Sequence, residues 1–322
     1  MSRHAMLIGL TNEPPMAAVE RALNAIGAPY VLIDQRELLS GDVQTWWTDA
    51  GAGGVIELAG AEIQLDRVTG VYTRLTTWTD LPGLGTNADF LAKAHGIHVA
   101  LDPWLETTSV PVINRTSAND TNHSKPYQAM IIRDHFDIPA TLVTNDPEAV
   151  VAFQREYEHI VYKSVSGERS IVSSFGAADA ERLHLLAHAP VQFQEHVTGV
   201  DVRVHVVGTD VFASRVDSEA VDYRYAETGS SISPVEVSDR VAAECVALTT
   251  RLGLVLSGID LRYAHDGRLI CFEVNPSPAF SVYEDATGQP IAAAIARFLS
   301  KAVHDDRESS RDRAVTFPEK SV

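Results

Sequence analysis

The sequence predicts an α/β protein, with α+β character, in which a parallel N-terminal unit is followed by antiparallel strands. Three observations carry this. Near the start, the apolar runs Ala5–Leu10 and Tyr30–Ile33 flank Val19, Leu23 and Ile26 at helical spacing, and a strand–helix–strand unit implies parallel pairing. Toward the end, Val255–Pro278 reads as two apolar-rich runs joined by His265-Asp266-Gly267-Arg268. Asp-Gly between such runs is a hairpin signal. Between these regions, Asp201, Arg203 and His205 alternate with Val202, Val204 and Val206, the period-2 pattern of a half-buried strand.

In chain order, Asn12 is placed as the N-cap of the first helix, with Pro14 and Pro15 in its first turn and Gly27 at its end. Asp34 closes the second strand, where it meets a ligand at the sheet's carboxyl edge or caps the next helix. Val55–Leu58 and Glu62–Leu65 form a small hairpin, and Val68–Arg74 is a further strand. A helix over Phe90–Leu101 and a short strand over Pro111–Asn114 close the first domain, residues 1–114. A second unit, 115–197, holds a helix within Asn122–His135 and strands at Pro139–Val143 and His159–Tyr162. It also holds helices at Asp146–Phe153 and Ala177–Ala187, and a strand at Val191–Val197. A third, 198–302, contains the alternating strand, a strand at Val211–Val216, a helix at Asp239–Leu252, the hairpin and a closing helix at Pro290–Leu299. From 303 the chain is charged and apolar-poor, the composition of a disordered tail.

The 322 residues carry a net charge of −17. A main partner of nucleic acid or anionic membrane is excluded, since either needs a basic footprint. No run reaches the roughly 18 apolar residues of a membrane span. The start passes directly into a strand, with too short an apolar core for a secretory signal, so a cytoplasmic protein is expected. Cys245 and Cys271 lie far apart and read as buried thiols. His184 with His188, and His95 with His98, lack the further ligands and glutamate base of a zinc site.

The hairpin carries the chemistry. With Asp266 and Gly267 as a two-residue loop, Tyr263 faces Ile270, Leu261 faces Phe272 and Ile259 faces Val274, giving one apolar face. The other face pairs Arg262 with Cys271, Asp260 with Glu273 and Gly258 with Asn275. Directly opposed carboxylates repel. A divalent cation offsets that repulsion, and the oxygen ligands of Asp260, Glu273 and Asn275 suit Mg²⁺. A nearby arginine on a solvated face is the other way to offset it.

Lys125 opens a helix, and Lys163 closes a strand before the loop Ser164–Ser170. Gln194-Glu195-His196-Val197 precedes Gly199-Val200-Asp201-Val202-Arg203, and Asp260 and Glu273-x-Asn275 end the set. This order resembles the ATP-grasp fold, in particular the RimK-like carboxylate–amine (glutamate) ligases and the related peptide ligases, over roughly 114–299. The first domain resembles their N-terminal pre-ATP-grasp α/β domain. The resemblance implies that Lys125 and Lys163 contact nucleotide phosphates, and that Ser164, Gly167 and Ser170 belong to a lid over them. It implies that Gln194, Glu195, His196 and Val197 form the edge that reads adenine, and that Asp201 binds the ribose. Arg224, Arg203 and Arg215 form the basic set at the reacting phosphoryl group, and Asp260, Glu273 and Asn275 hold Mg²⁺, one ion or two, with Mn²⁺ as an alternative. Arg74, Tyr72 and Glu284 are placed toward the acceptor.

The implied activity is an ADP-forming ATP-dependent ligase that joins a carboxylate to an amine through an acyl-phosphate. The acceptor is a Glu- or Asp-containing peptide or an amino acid, and the resemblance implies a homo-oligomer. Two variants on the same fold are a phosphotransferase and a macrocyclase forming side-chain esters or amides. A nucleotide-binding protein without turnover is a third alternative.

Overall fold

The computed structural model describes residues 3–49, 51–82, 85, 87–165, 172–217 and 231–300. Gly167, Ser170, Arg224 and the tail from 303 lie outside them. The chain divides into two units, one made of Met1–Thr116 with the chain from Ala292 onward, the other of Ser117–Ile291.

In the first unit, β1 (His4–Gly9) lies between β2 (Tyr30–Asp34) and β6 (Val68–Arg74), parallel to both, with β7 (Val112–Ile113) beyond β6. Met6, Leu7 and Ile8 are all fully buried, as a central parallel strand covered on both faces requires. Helix α1 (Pro14–Ala25) is entered from Glu13, not Asn12, and has no side-chain cap. Asp34 is engaged internally, accepting from the Arg36 guanidinium at 2.8 and 2.6 Å and from the Thr11 hydroxyl at 2.6 Å. Those bonds, Arg36 first, hold its carboxyl far below the usual carboxylate range.

The expected hairpin appears as β4 (Gly51–Leu58) and β5 (Ala61–Gln64), joined by an unforeseen strand β3 (Asp42–Thr48). Exposed Trp46 and Trp47 on β3 obscure the alternation that marks a strand. Helix α2 (Ala88–Thr107) runs past Leu101, because Trp104 and Leu105 continue its buried stripe.

The second unit begins within a short helix, α3 (Thr116–Asn119), whose first residue belongs to the first unit, and continues with α4 (Lys125–Ile132). A four-stranded antiparallel sheet follows from β8 (Thr141–Thr144), β9 (Ile160–Lys163), β10 (Ser173–Ser174) and β11 (Val191–Glu195), in the order β10-β9-β11-β8. Helix α5 (Pro147–Tyr157) and a short α6 (Ala177–Ala180) interrupt it in sequence. The helix expected to reach Ala187 gives way to a 3₁₀ segment, Leu183–His188.

The larger sheet comprises β12 (Gly199–Val207), β13 (Asp210–Asp217), β14 (Ser231–Val235), β15 (Leu256–Ala264) and β16 (Leu269–Asn275), ordered β14-β13-β12-β15-β16. Val202, Val204 and Val206 of β12 pack with Val241, Cys245 and Leu248 of α7 (Asp239–Arg251). The same strand therefore turns Asp201, Arg203 and His205 to the other face. Helix α8 (Ser281–Thr287) follows β16.

The β15–β16 loop departs from the sequence expectation. Gly267 N–H donates to the Ala264 carbonyl, and Ala264 N–H to the Arg268 carbonyl, both at 3.0 Å. Gly267 has φ +92°, whereas Asp266 is not among the residues with positive φ. The loop thus has three residues, with one left-handed glycine rather than two left-handed positions. This moves the register near the turn by one, so that Leu261 pairs with Cys271, Arg262 with Ile270 and Tyr263 with Leu269. A bulge then restores Asp260 opposite Glu273, Ile259 opposite Val274 and Gly258 opposite Asn275.

Candidate active site

Three strands present a row of charge on one sheet face. Arg203 on β12 is paired with Asp260 on β15, and Asp260 with Glu273 on β16. Arg203 Nη1 lies 2.6 Å from Asp260 Oδ1, with side chains only 7% and 16% exposed. Lys125, the first residue of α4, reaches the row from the sheet edge, with Nζ 3.4 Å from Glu273 Oε2. Two cations thus flank two carboxylates in a partly desolvated setting, where such pairs interact more strongly than on an open surface.

Gln128 holds α4 in place. Its side-chain amide donates to the Val274 carbonyl at 2.8 Å and accepts from the Val274 N–H at 2.9 Å. Strand β16 is an edge, whose outward backbone groups need partners. Farther along that edge, Cys271 N–H donates to the Asp137 carbonyl at 2.8 Å.

A second ion pair lies beside the row. Arg262 binds both oxygens of Asp201, at 2.6 and 2.7 Å, and donates to the Val197 carbonyl at 2.6 Å. Its guanidinium stands 5.1 Å from the centre of the Phe272 ring. The bulge explains Phe272. As the extra residue of β16, it turns to the same side as Glu273, while Cys271 is left wholly buried in the apolar core. Burial drives the Cys271 thiol well above its ordinary range.

The Glu195 carboxylate is gripped by Arg268 of the hairpin turn at 2.8 and 3.1 Å, and it accepts from Ala140 N–H at 3.0 Å. These bonds, Arg268 first, hold its carboxyl below the ordinary carboxylate pKa. Buried Lys163 and Gln194 complete the wall, Gln194 donating to Thr141 Oγ1 at 2.9 Å. Burial, then the charge of Arg262 and the neighbouring His159, lowers the His196 ring below its ordinary value. Together these residues line a cleft with about 720 Å³ of empty volume, bounded by Lys163, Gln194–Val197, Asp201, Arg203, Asp260, Arg262, Phe272 and Glu273.

A family model, the RimK-like ATP-grasp domain, matches residues 121–299, more than half of the chain. The chain belongs to the RimK-like ATP-grasp family. Among curated RimK-like relatives, a probable alpha-L-glutamate ligase of Halorhodospira halophila is 36% identical over 120 residues, which is 36% of this chain and 39% of that protein. The beta-citrylglutamate synthase B of Danio rerio is 31% identical over 150 residues, 44% of this chain and 37% of that protein. The matches thus span about two-fifths of those relatives. Among solved structures, the ATP-grasp ligase PsnB complexed with minimal precursor is similar over 94% of this chain and 99% of its own, with TM-score 0.78 and 28% identity. The macrocyclase MdnC of Microcystis aeruginosa, bound with precursor peptide MdnA, shares the fold with TM-score 0.75, 24% identity and coverage of 92% and 99%.

Against the RimK-like pattern, the cleft gathers Lys163, Gln194, Glu195, His196, Val197, Asp201, Arg203, Asp260 and Glu273. Lys125 joins through its pair with Glu273. Ser164 follows Lys163 and is exposed. Arg215 is turned away and is a correction to the basic set. It pairs with Val202 across the β12–β13 ladder, whereas Arg203 pairs with Ser214, so strand alternation puts the two arginines on opposite faces. There Arg215 binds Asp217 at 2.7 Å, both side chains half exposed. Gly208 (φ +60°) at the β12–β13 turn is the sequence signal that predicts this register. Arg74 is bound to Glu13 at 2.6 Å within the first unit.

Three site residues escaped the sequence reading: Arg262, Phe272 and Gln128. Arg262 was legible as a second arginine two residues past Asp260, and Gln128 as a polar residue one turn after Lys125. Phe272 had no signal without the bulge.

Asp260 and Glu273 side by side, with Asn275 two residues along the same face, offer only oxygen donors of the kind a hard cation takes. Asn275 Oδ1 also accepts from Ser277 N–H at 2.9 Å. Among the described residues, no group of three or more His, Cys, Asp or Glu side chains is arranged to hold a metal; with two carboxylates and one amide, a hard ion here would need phosphate and water to complete its shell. The carboxylate repulsion that called for a cation is already offset by Arg203 and Lys125, so repulsion alone does not demand the metal.

Proposed function

We propose that this protein is an ATP-dependent carboxylate–amine ligase acting on a peptide. The observation that supports it most is the row Arg203–Asp260–Glu273–Lys125 on the wall of the cleft. It combines paired carboxylates with fixed cations where a phosphoryl group can be neutralised.

The β- and γ-phosphates lie beside Lys163 and Lys125, next to exposed Ser164. The adenine sits along Gln194–Val197, read by backbone groups, since the Glu195 carboxylate is committed to Arg268. Asp201 meets the ribose only by sharing its oxygens with Arg262. Asp260, Glu273 and Asn275 would hold Mg²⁺, which would supply neutralisation of phosphate charge.

A carboxylate oxygen of the substrate attacks the γ-phosphorus, and the bond to the β-phosphate oxygen breaks, releasing ADP. Arg203, held by Asp260, faces the negative charge that develops; Arg224, which the family resemblance also assigns there, lies outside the described residues. The amine nitrogen then attacks the acyl carbon of the acyl-phosphate, phosphate leaves, and the nitrogen gives up one proton. Exclusion of water keeps the acyl-phosphate from hydrolysis.

PsnB complexed with precursor peptide PsnA2 is similar over 98% of its own chain, which favours a peptide over a free amino acid. An intramolecular amide or ester, made by a hydroxyl in place of the amine, is then a product of the same chemistry. ADP release is measured with acidic peptides as the carboxylate source, and the products are weighed. Loss of one water per bond formed, with acyl-hydroxamate appearing when hydroxylamine is added, supports the ligase. ADP release with a stable phosphorylated peptide would identify a phosphotransferase instead. ATP binding without turnover on any substrate would overturn both.

A further inference from the structure

Gly258 stands in the middle of β15, between His205 on β12 and Asn275 on β16. Its backbone does not need a glycine, because its φ is not among the positive ones. Space does. A Cβ there would lie 2.4 Å from Arg203 Nη2, 2.7 Å from Cζ and 2.8 Å from Nε. The guanidinium therefore lies flat against bare backbone on its way to Asp260. Tyr283 of α8 covers it, with the Arg203 Cζ 5.9 Å from the ring centre. His205, fully buried, packs edge-on against the same ring at 4.8 Å. Neither ring nitrogen of His205 has a hydrogen-bond partner among the described residues, so it serves here as an apolar wall.

We propose that Gly258, Tyr283 and His205 are positioning residues that form a slot for the Arg203 side chain. The slot fixes where the guanidinium's charge is presented beside Asp260. A bare-backbone floor, an aromatic lid and a neutral ring leave Arg203 one orientation, toward the carboxylate row. Its value for turnover rests on the ligase reading above, but the slot itself is a statement about Arg203 alone.

The test uses the full chain and the variants Gly258→Ala, Tyr283→Leu, Arg203→Lys and Arg203→Lys/Gly258→Ala. The ¹⁵N-detected Nε–Hε signal of Arg203, assigned by its loss in Arg203→Lys, is followed first. It should shift or broaden in Gly258→Ala and Tyr283→Leu while the rest of the spectrum stays native. Because lysine carries no guanidinium over Gly258, the alanine should lower the unfolding midpoint in the wild type and barely change it in the Arg203→Lys background. For turnover, kcat should fall on the order of 10–100-fold in Gly258→Ala, with the KM for ATP little changed. An unshifted Arg203 signal, or an equal stability cost of Gly258→Ala in both backgrounds, would overturn the slot. Should Gly258→Ala fail to fold, Tyr283→Leu carries the same spectroscopic test. If the wild type shows no turnover on any substrate, the ligase reading fails while the signal and the stability comparison still decide the slot.

Discussion

Asp260 faces Glu273 across the β15–β16 ladder because Phe272 is squeezed out of it. The three-residue turn sets a register that would put Phe272 opposite Asp260, and one extra residue on β16 corrects it. Both carboxylates then stand against the cleft with Arg203 and Lys125 beside them.

Replacing Glu273 by Gln keeps shape and hydrogen bonding but removes the charge at the centre of the row. ADP release should fall by about 100-fold or more, the scale of losing one charge-stabilising group in a dry site. The circular dichroism spectrum should be unchanged. Near-wild-type ADP release would remove this carboxylate from the phosphoryl-transfer chemistry.

Asp260→Asn leaves the Arg203 guanidinium almost buried without its anionic partner. Breaking a buried pair from one side costs roughly 3 kcal/mol. Urea unfolding should show that loss in midpoint with little change in slope. A wild-type midpoint would mean that Arg203 relaxes into solvent.

Gln128→Leu tests the docking of α4. The substitution strips both partners from the Val274 backbone, and each buried group so orphaned costs about 1–3 kcal/mol. Thermal unfolding should occur several degrees lower, and the KM for ATP should rise because Lys125 loses its anchorage. An unchanged KM together with a lowered melting temperature would confine Gln128 to stability.

The Glu195–Arg268 bridge makes an acid-side prediction. Arg268 and Ala140 lower the Glu195 carboxyl in the folded chain relative to its ordinary value of 4.5. The unfolded chain therefore takes up this proton first as pH falls, and the bridge's contribution is present above the ordinary value and lost as pH drops through the lowered folded one. Glu195→Gln should destabilise at neutral pH and flatten the pH dependence below 4.5. Parallel wild-type and variant curves through that range would show that the bridge contributes nothing.

Much of the site was legible because it rests on local periodicity. Lys163 at a strand end, the alternation of Asp201, Arg203 and His205, and the confrontation of Asp260 with Glu273 all follow from strand geometry and one turn signal. Cys271 and Phe272 exchanged faces because a bulge leaves no mark in a hydrophobic pattern. Arg215 was grouped with Arg203 by charge type, and the register between β12 and β13 separates them.

The sequence by itself determined most of the order of elements and the family's set of polar residues, since both depend on residue type and short-range spacing. Tertiary structure alone decided which polar groups are partners. Arg262 with Asp201, Arg268 with Glu195, and Gln128 with Val274 join residues 61, 73 and 146 positions apart. Such pairs form only where packed strands and helices bring distant side chains out of water together, and nothing in the local pattern of either partner records the other.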